Sequence, residues 1–381
     1  MIIKNGSIFG ENGRFCRGNI DICGDVIKNI DYDKAYNVEL QQKQEEVIDA
    51  DGLYVIPGLV DIHLHGAAGF DFCDCTEEAF AAIVDFELSH GVTSIVPATM
   101  TLPQQTLYRI MGAIGQYAKN HASIKGITME GPFISADKKG AQNEGYIQVP
   151  DITLFNRLQT VSGKMIRQVT VAPETAGALD FIKNVSENCV VAVAHTNASY
   201  EEAEAAFSAG SDHITHLYNA MPPFGHREPG AIGAAFDNKR VFAELICDGV
   251  HIHPSTVRAA YQLFGAERVC MISDSMSAAG MKDGECFLGE QKVIRKGRCA
   301  VLENGSLAGA VSTLYDNLKT AVTEMHIPLE DAVLSCTATP ARSLKLDREC
   351  GVLAAGRKAD AVLLDKDLNI MYVIKSGRIL I

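Results

Sequence analysis

Between residues 55 and 345, short apolar runs alternate with stretches whose apolar residues recur at helical spacing. Eight of the runs have strand length: Leu59–His65, Thr93–Ala98, Ile124–Glu130, Gln168–Pro173, Val190–His195, His213–Leu217, Val241–Asp248 and Val269–Asp274. Strands that are apolar on both faces belong to a parallel sheet covered by helices. Among the helical stretches, Thr76–His90 begins with a capping threonine and two glutamates and meets Gly91 at its end. Ala198–Ala209 likewise stops at Gly210. Eight strand–helix units predict an α/β protein with a (β/α)8 TIM barrel. The alternative for the same alternation is an open, doubly wound sheet.

Both chain ends have a different texture. Asn5-Gly6 and Asn12-Gly13 are hairpin-type dipeptides, and Asn19–Ile22 and Val26–Ile30 read as strands. Near the C-terminus the pattern repeats in Asp360–Asp365, Ile370–Ile374, a Ser376-Gly377 turn and Ile379–Ile381. The expected organisation is a small β-sandwich formed by both termini, residues 1–54 and 346–381, with the barrel inserted at 55–345.

The polar residues favour the barrel over the open sheet. His63, His65, Glu130, His195, His216 and Asp274 all stand at the C-terminal ends of their runs. In a barrel those ends converge on one face, where active sites are built; an open sheet spreads them along an edge. His63 and His65 lie two residues apart, on one side of an extended strand, so both can reach one ion. Singly, such histidines are often structural. The joint set of imidazoles and carboxylates suits zinc, iron, cobalt or manganese.

Composition narrows the function classes. With a net charge of −13 and no basic run, the chain is a poor nucleic-acid binder. No apolar stretch approaches the roughly 20 residues of a membrane helix, and MIIKNGSIFG has no signal-like apolar core. The eleven cysteines form no CxxC pair, and Cys73 and Cys75 beside Asp74 read as incidental thiols. A soluble cytoplasmic protein with reduced cysteines is expected.

PGLVDIHLHG at Pro57–Gly66 resembles the first-strand signature of the amidohydrolase superfamily. MEGPF at Met129–Phe133, AHTNAS at Ala194–Ser199, THLYNAMPPFGHREPG at Thr215–Gly230, DGVHIHP at Asp248–Pro254 and ISDSMSAAG at Ile272–Gly280 closely resemble one branch of it, the deacetylases of N-acetylated amino-sugar 6-phosphates. GVLAAGRKADAVLLD at Gly351–Asp365 resembles the superfamily's returning β segment. The resemblance implies metal-dependent hydrolysis of the acetamide of N-acetyl-D-glucosamine 6-phosphate. Glu130, His195 and His216 would hold the principal metal, and Asp274 would handle the proton. Because His63 and His65 are retained, a second ion is expected, bridged by Glu130. The cofactor is then one or two divalent ions per subunit, zinc or iron foremost. Asn219, Ala220, His251 and Arg227 would bind the sugar phosphate, with Arg227 reaching the neighbouring subunit of a homodimer. His253 reads as a surface residue. Gln142 stands where that branch commonly has a substrate-contacting histidine. It cannot carry that residue's charge, so the galactosamine epimer stays open. A hydrolase of cyclic amides and a non-catalytic sugar-phosphate sensor are the remaining alternatives. Glu285–Val301 reads as hairpin strands able to serve as a lid or a domain contact.

Overall fold

A computed structural model describes residues 1–32, 46–289 and 291–381. Part of the 1–54 segment and one position of the predicted hairpin therefore lie outside the described residues. The central strands are β1 (Leu59–Leu64), β2 (Val92–Pro97), β3 (Ile127–Met129), β4 (Ile166–Val171), β5 (Val190–Val193), β6 (His213–Ile214), β7 (Phe242–Ile246) and β8 (Val269–Ile272). β3 to β8 pair in sequence order as one parallel sheet, and β1 pairs parallel with β2. Parallel bridges Ile95↔Ile124 and Ala98↔Thr128 continue the sheet from β2 to β3. At the far edge, Asp274 N–H donates to His63 O at 3.0 Å and His65 N–H to Ser275 O at 2.8 Å. The parallel sheet thus curls, with residues just past its last strand hydrogen-bonded to the end of its first.

A helix lies between each strand and the next, from Glu77–Ser89 to Pro254–Phe264, and Leu314–Thr323 follows β8. Their starts are chemically marked. Thr76 accepts from Ala79 N–H, and Ser199 closes a capping box with Glu202, so the second predicted helix begins at Tyr200 rather than Ala198. Gly91 ends the first helix at φ +76°, where a Cβ would come within 2.8 Å of Val362; only glycine suits both conditions.

Both chain ends meet in one eight-stranded sheet. Its path runs 378–379, 370–375, 361–364, 54–57, 2–9, 15–23, 26–32, and Val47–Asp49 pairs with Ile2–Phe9. Asn12-Gly13 lies in the turn to the second strand as expected. Asn5-Gly6 instead sits inside the first strand, where a register shift and Asn5 at φ 64° mark a bulge. The predicted hairpin is a three-stranded antiparallel sheet of Gly284–Leu288, Gln291–Lys296 and Cys299–Leu302. All eleven cysteines are free thiols. Among the described residues no helix is long and apolar enough to cross a membrane.

Candidate active site

The central strands end earlier than the apolar runs do, and the chemistry sits just past them. β5 stops at Val193, β6 at Ile214 and β8 at Ile272, two residues before His195, His216 and Asp274. Those three residues have positive φ: 44°, 32° and 51°. A non-glycine residue adopts that conformation at a cost of about 1–3 kcal/mol, so it needs support from its surroundings. Here the turn bends each side chain inward over the strand ends. The apolar pattern cannot signal this, because the backbone turns while His195 and His216 remain buried and Asp274 nearly so.

His65, Glu130, Gln142, His195, His216, Asn219, Ala220, His251 and Asp274 line a single cleft of about 190 Å³. His63 lies beneath its floor, fully buried. Glu130 is the centre of the cluster. Its Oε1 is 3.1 Å from His195 Nε2, 3.2 Å from His216 Nε2 and 3.5 Å from His63 Nε2, while Oε2 is 3.4 Å from His65 Nε2. Asp274 Oδ1 stands 3.3 Å from His65 Nε2 and 3.8 Å from His63 Nε2. Two cradles result, Glu130/His195/His216 and His63/His65/Asp274, each with donor atoms within 4.8 Å of one another. The carboxylate of Glu130 reaches both.

The outer nitrogens show that the inner ones are prepared for a ligand. His195 Nδ1 donates to Lys138 O at 2.9 Å and His216 Nδ1 to Asn219 O at 3.2 Å. A carbonyl can only accept, so each Nδ1 carries the hydrogen and each Nε2 presents a lone pair to the cluster. Four imidazoles and two carboxylates, buried or nearly so and gathered into two adjoining cradles, fit divalent ions.

Charge is balanced by protons in the ion-free chain. Burial alone would lower His63, but Glu130 and Glu244 outweigh it and raise the imidazole well above its ordinary value. His65 is raised in the same way through Asp274 and Glu130. Burial pushes Glu130 and Asp274 up, yet the facing imidazoles hold both below the usual carboxylate range. A divalent cation would take over the positive charge that these protons supply.

His251 also lines the cleft, and its Nδ1 is 2.7 Å from Asp248 Oδ2. Burial opposes protonation of His251, but the Asp248 hydrogen bond prevails and raises it. The cleft thus carries an imidazole whose protonation is favoured, in a protein of net charge −13. Arg227 is exposed and lies outside the lining of its own chain's cleft. His253 is exposed too and caps helix Pro254–Phe264, as a surface residue would. Gln142 lines the cleft, but its polar ends are engaged within the chain. Nε2 donates to Glu130 Oε2 at 2.7 Å, and Oε1 accepts from Thr101 N–H at 2.7 Å. Gln142 therefore orients Glu130, a contact that its sequence position did not suggest.

Sequence reasoning passed over Glu244, Gln168 and Asp248, and over Leu288 and Leu307–Gly309, which wall the cleft from and beside the three-stranded sheet. Only Glu244 left a usable signal: a charged residue inside the otherwise apolar strand β7.

A curled parallel sheet with histidines and carboxylates gathered past its strand ends defines a hydrolase class, and the model of the amidohydrolase family matches residues 54–380. The chain belongs to that family. Within it, the chain is 33% identical to the N-acetylglucosamine-6-phosphate deacetylase of Lysinibacillus sphaericus, over 100% of this chain and 97% of the relative. It is 32% identical to the N-acetylgalactosamine-6-phosphate deacetylase of Escherichia coli O157:H7, over 87% and 89%. The solved structure of an aspartate-to-alanine mutant of the N-acetyl-D-glucosamine-6-phosphate deacetylase of Mycobacterium smegmatis, in complex with N-acetyl-D-glucosamine-6-phosphate, superposes with a TM-score of 0.93. That likeness has 32% identity and covers 100% of this chain and 99% of that one.

Proposed function

We propose that this chain is a metal-dependent enzyme that hydrolyses the acetamide of N-acetyl-D-glucosamine 6-phosphate to D-glucosamine 6-phosphate and acetate. The observation that carries the proposal is the two-cradle cluster around Glu130 in a cleft that is also lined by His251, which is paired with Asp248. The first suits an amide, the second an anion. Full-length similarity to deacetylases of amino-sugar 6-phosphates supports the same substrate class.

Glu130, His195 and His216 would hold one divalent ion, and His63, His65 and Asp274 would hold a second within reach of Glu130. Zinc or iron fits the donor set, as do cobalt and manganese. Such an ion would make a water more acidic and would polarise the amide carbonyl. Asp274 takes the proton of the attacking water and passes it to the departing nitrogen. Burial pushes its carboxyl up, but without a bound ion His65 and His63 hold it below the usual range. Gln142 and Thr101 keep Glu130 in place while charge moves.

His251, whose protonation Asp248 favours, and the Asn219–Ala220 turn receive the phosphate end. Arg227, exposed in its own chain, completes that end from the second subunit of a homodimer; its fork suits a phosphate. The described parts of both terminal segments, 1–54 and 346–381, form a small β-sandwich around an inserted (β/α)8 barrel. Strand Tyr54–Pro57 pairs within the terminal sheet, which moves the barrel's start from the expected residue 55 to beyond Pro57. The shared core of Ile3, Ile20, Ile27, Leu363 and Ile374, drawn from opposite ends of the terminal sheet, supports the sandwich. The hydrogen bonds between the end of β8 and β1 support barrel closure. The cytoplasm is the expected compartment.

Acetate release from N-acetylglucosamine 6-phosphate, measured before and after chelation with the galactosamine epimer alongside, tests the proposal. Chelator-sensitive release that prefers the glucosamine compound is expected. Preference for the epimer keeps the chemistry and corrects the sugar. No release from either by metal-loaded protein refutes the deacetylase reading.

A further inference from the structure

Beneath the cleft a buried carboxylate stands behind the metal cradles. Glu244 of β7 is fully buried and takes no part in the cleft wall. Its Oε2 lies 3.2 Å from His63 Nδ1, and its Oε1 accepts from Gln168 Nε2 at 2.6 Å. Gln168, on β4, is fully buried as well. The carboxylate is therefore clamped between two neighbours contributed by strands β1 and β4, and it cannot touch a substrate.

The three oriented imidazoles differ in what receives their Nδ1 hydrogen. His195 and His216 each use a backbone carbonyl, whereas His63 uses an anion. His65 Nδ1 is buried with no hydrogen-bond partner in the described structure. Orientation of the His63/His65/Asp274 cradle thus depends on Glu244. An anion behind an imidazole also makes its free nitrogen a stronger donor than a carbonyl does.

We propose that Glu244 is the positioning residue of the second metal site. It holds His63 in the tautomer that turns Nε2 toward Glu130 and Asp274, and it thereby sets the affinity of the His63/His65/Asp274 cradle for a divalent ion. Gln168 fixes Glu244 in turn. The assignment rests on the reading above that both cradles bind metal.

Glu244→Gln isolates the charge. Gln168 Oε1 is buried without a partner, so the Gln168 amide can turn over and accept from the new amide. His63 then keeps an acceptor of the same shape. The test titrates zinc into metal-stripped full-length protein, with ion counts by elemental analysis and affinities by competition against a chromophoric chelator. Wild type should take up two ions. Glu244→Gln should keep the first and bind the second about 10–100-fold more weakly, the usual effect of losing such a partner. In a His63→Ala background, adding Glu244→Gln should weaken binding no further. If Glu244→Gln does not fold, Gln168→Met releases the same clamp without removing charge, and it should weaken the same ion. A second ion bound as tightly as in wild type, or equal weakening of both ions, overturns the assignment. Wild type that never holds more than one ion overturns the two-ion reading and Glu244's role together.

Discussion

Glu87→Gln should stabilise the folded chain, and only above acidic pH. Glu87 is the last of the buried positions Ala79, Phe80, Ile83, Val84 and Glu87 on helix Glu77–Ser89, where the apolar stripe predicts another hydrophobe. Both its carboxylate oxygens are buried without a hydrogen-bond partner. Burial pushes its carboxyl well above the ordinary 4.5, and like charge from Asp61 and Asp316 adds to the shift. Asp61 is itself pushed up to about 6, chiefly by burial. Because the folded-state value lies above the unfolded one, the native chain keeps a proton that the unfolded chain has released. Its favourable contribution is complete below the ordinary value and is lost as pH rises through the folded value. Within that window the wild type loses up to about 1.4 kcal/mol per pH unit from this one group. Glutamine has nearly the same volume and does not titrate. Its unpaired amide hydrogen stands in for the unpaired hydroxyl of the neutral acid, so most of the remaining cost cancels. Guanidinium unfolding of both proteins from pH 4 to pH 9, with chelator present, reads the difference. The two should agree near pH 4 and diverge in favour of Glu87→Gln as pH rises. A stability gap that stays constant across the range would refute the reasoning.

Asp274→Asn should lower turnover about 10²–10⁴-fold, the usual worth of a positioned acid–base group, while bound metal measured by elemental analysis persists. Near-normal turnover removes Asp274 from the proton path. Arg227→Ala should raise KM for the phosphorylated substrate and leave its unphosphorylated analogue unaffected; equal effects on both argue against a phosphate contact. Gly131→Ala should destabilise the chain by about 1–3 kcal/mol and reduce metal uptake, read by thermal unfolding and ion counts. Gly131 has φ +70° directly after Glu130, and a Cβ there would stand 2.0 Å from Thr101 Oγ1. Metal binding should release protons and strengthen with pH, because His63 and His65 are raised and must lose theirs to bind. Calorimetry in buffers of differing ionisation enthalpy measures the release; affinity independent of pH would contradict the proton-balanced cluster.

Much of this protein was legible along the chain. Each apolar run from Leu59–His65 to Val269–Asp274 corresponds to an observed strand, because burial on both faces is a property of the residues in order. Helix starts were legible where a side chain caps its own backbone, as Thr76 does. HxH spacing placed His63 and His65 on one face, and both belong to one cradle. Strand ends were less legible. Hydrogen-bond ladders stop where the backbone turns to positive φ at His195, His216 and Asp274; after the turn the two histidines stay buried and Asp274 is only partly exposed. Asn5-Gly6 misled for a related reason: a left-handed asparagine serves a bulge as well as a hairpin.

By itself, then, the order of residues determined which groups could meet a metal and on which end of which strand each would stand. Tertiary structure alone decided how those groups use one another. Glu130 is reached by four imidazoles from three other strand ends, Gln142 is turned onto it, and Glu244 is placed behind His63 across the width of the sheet. Such contacts join residues 12 to 181 positions apart. They depend on how far the sheet curls and where each side chain is pinned, and no local pattern encodes either.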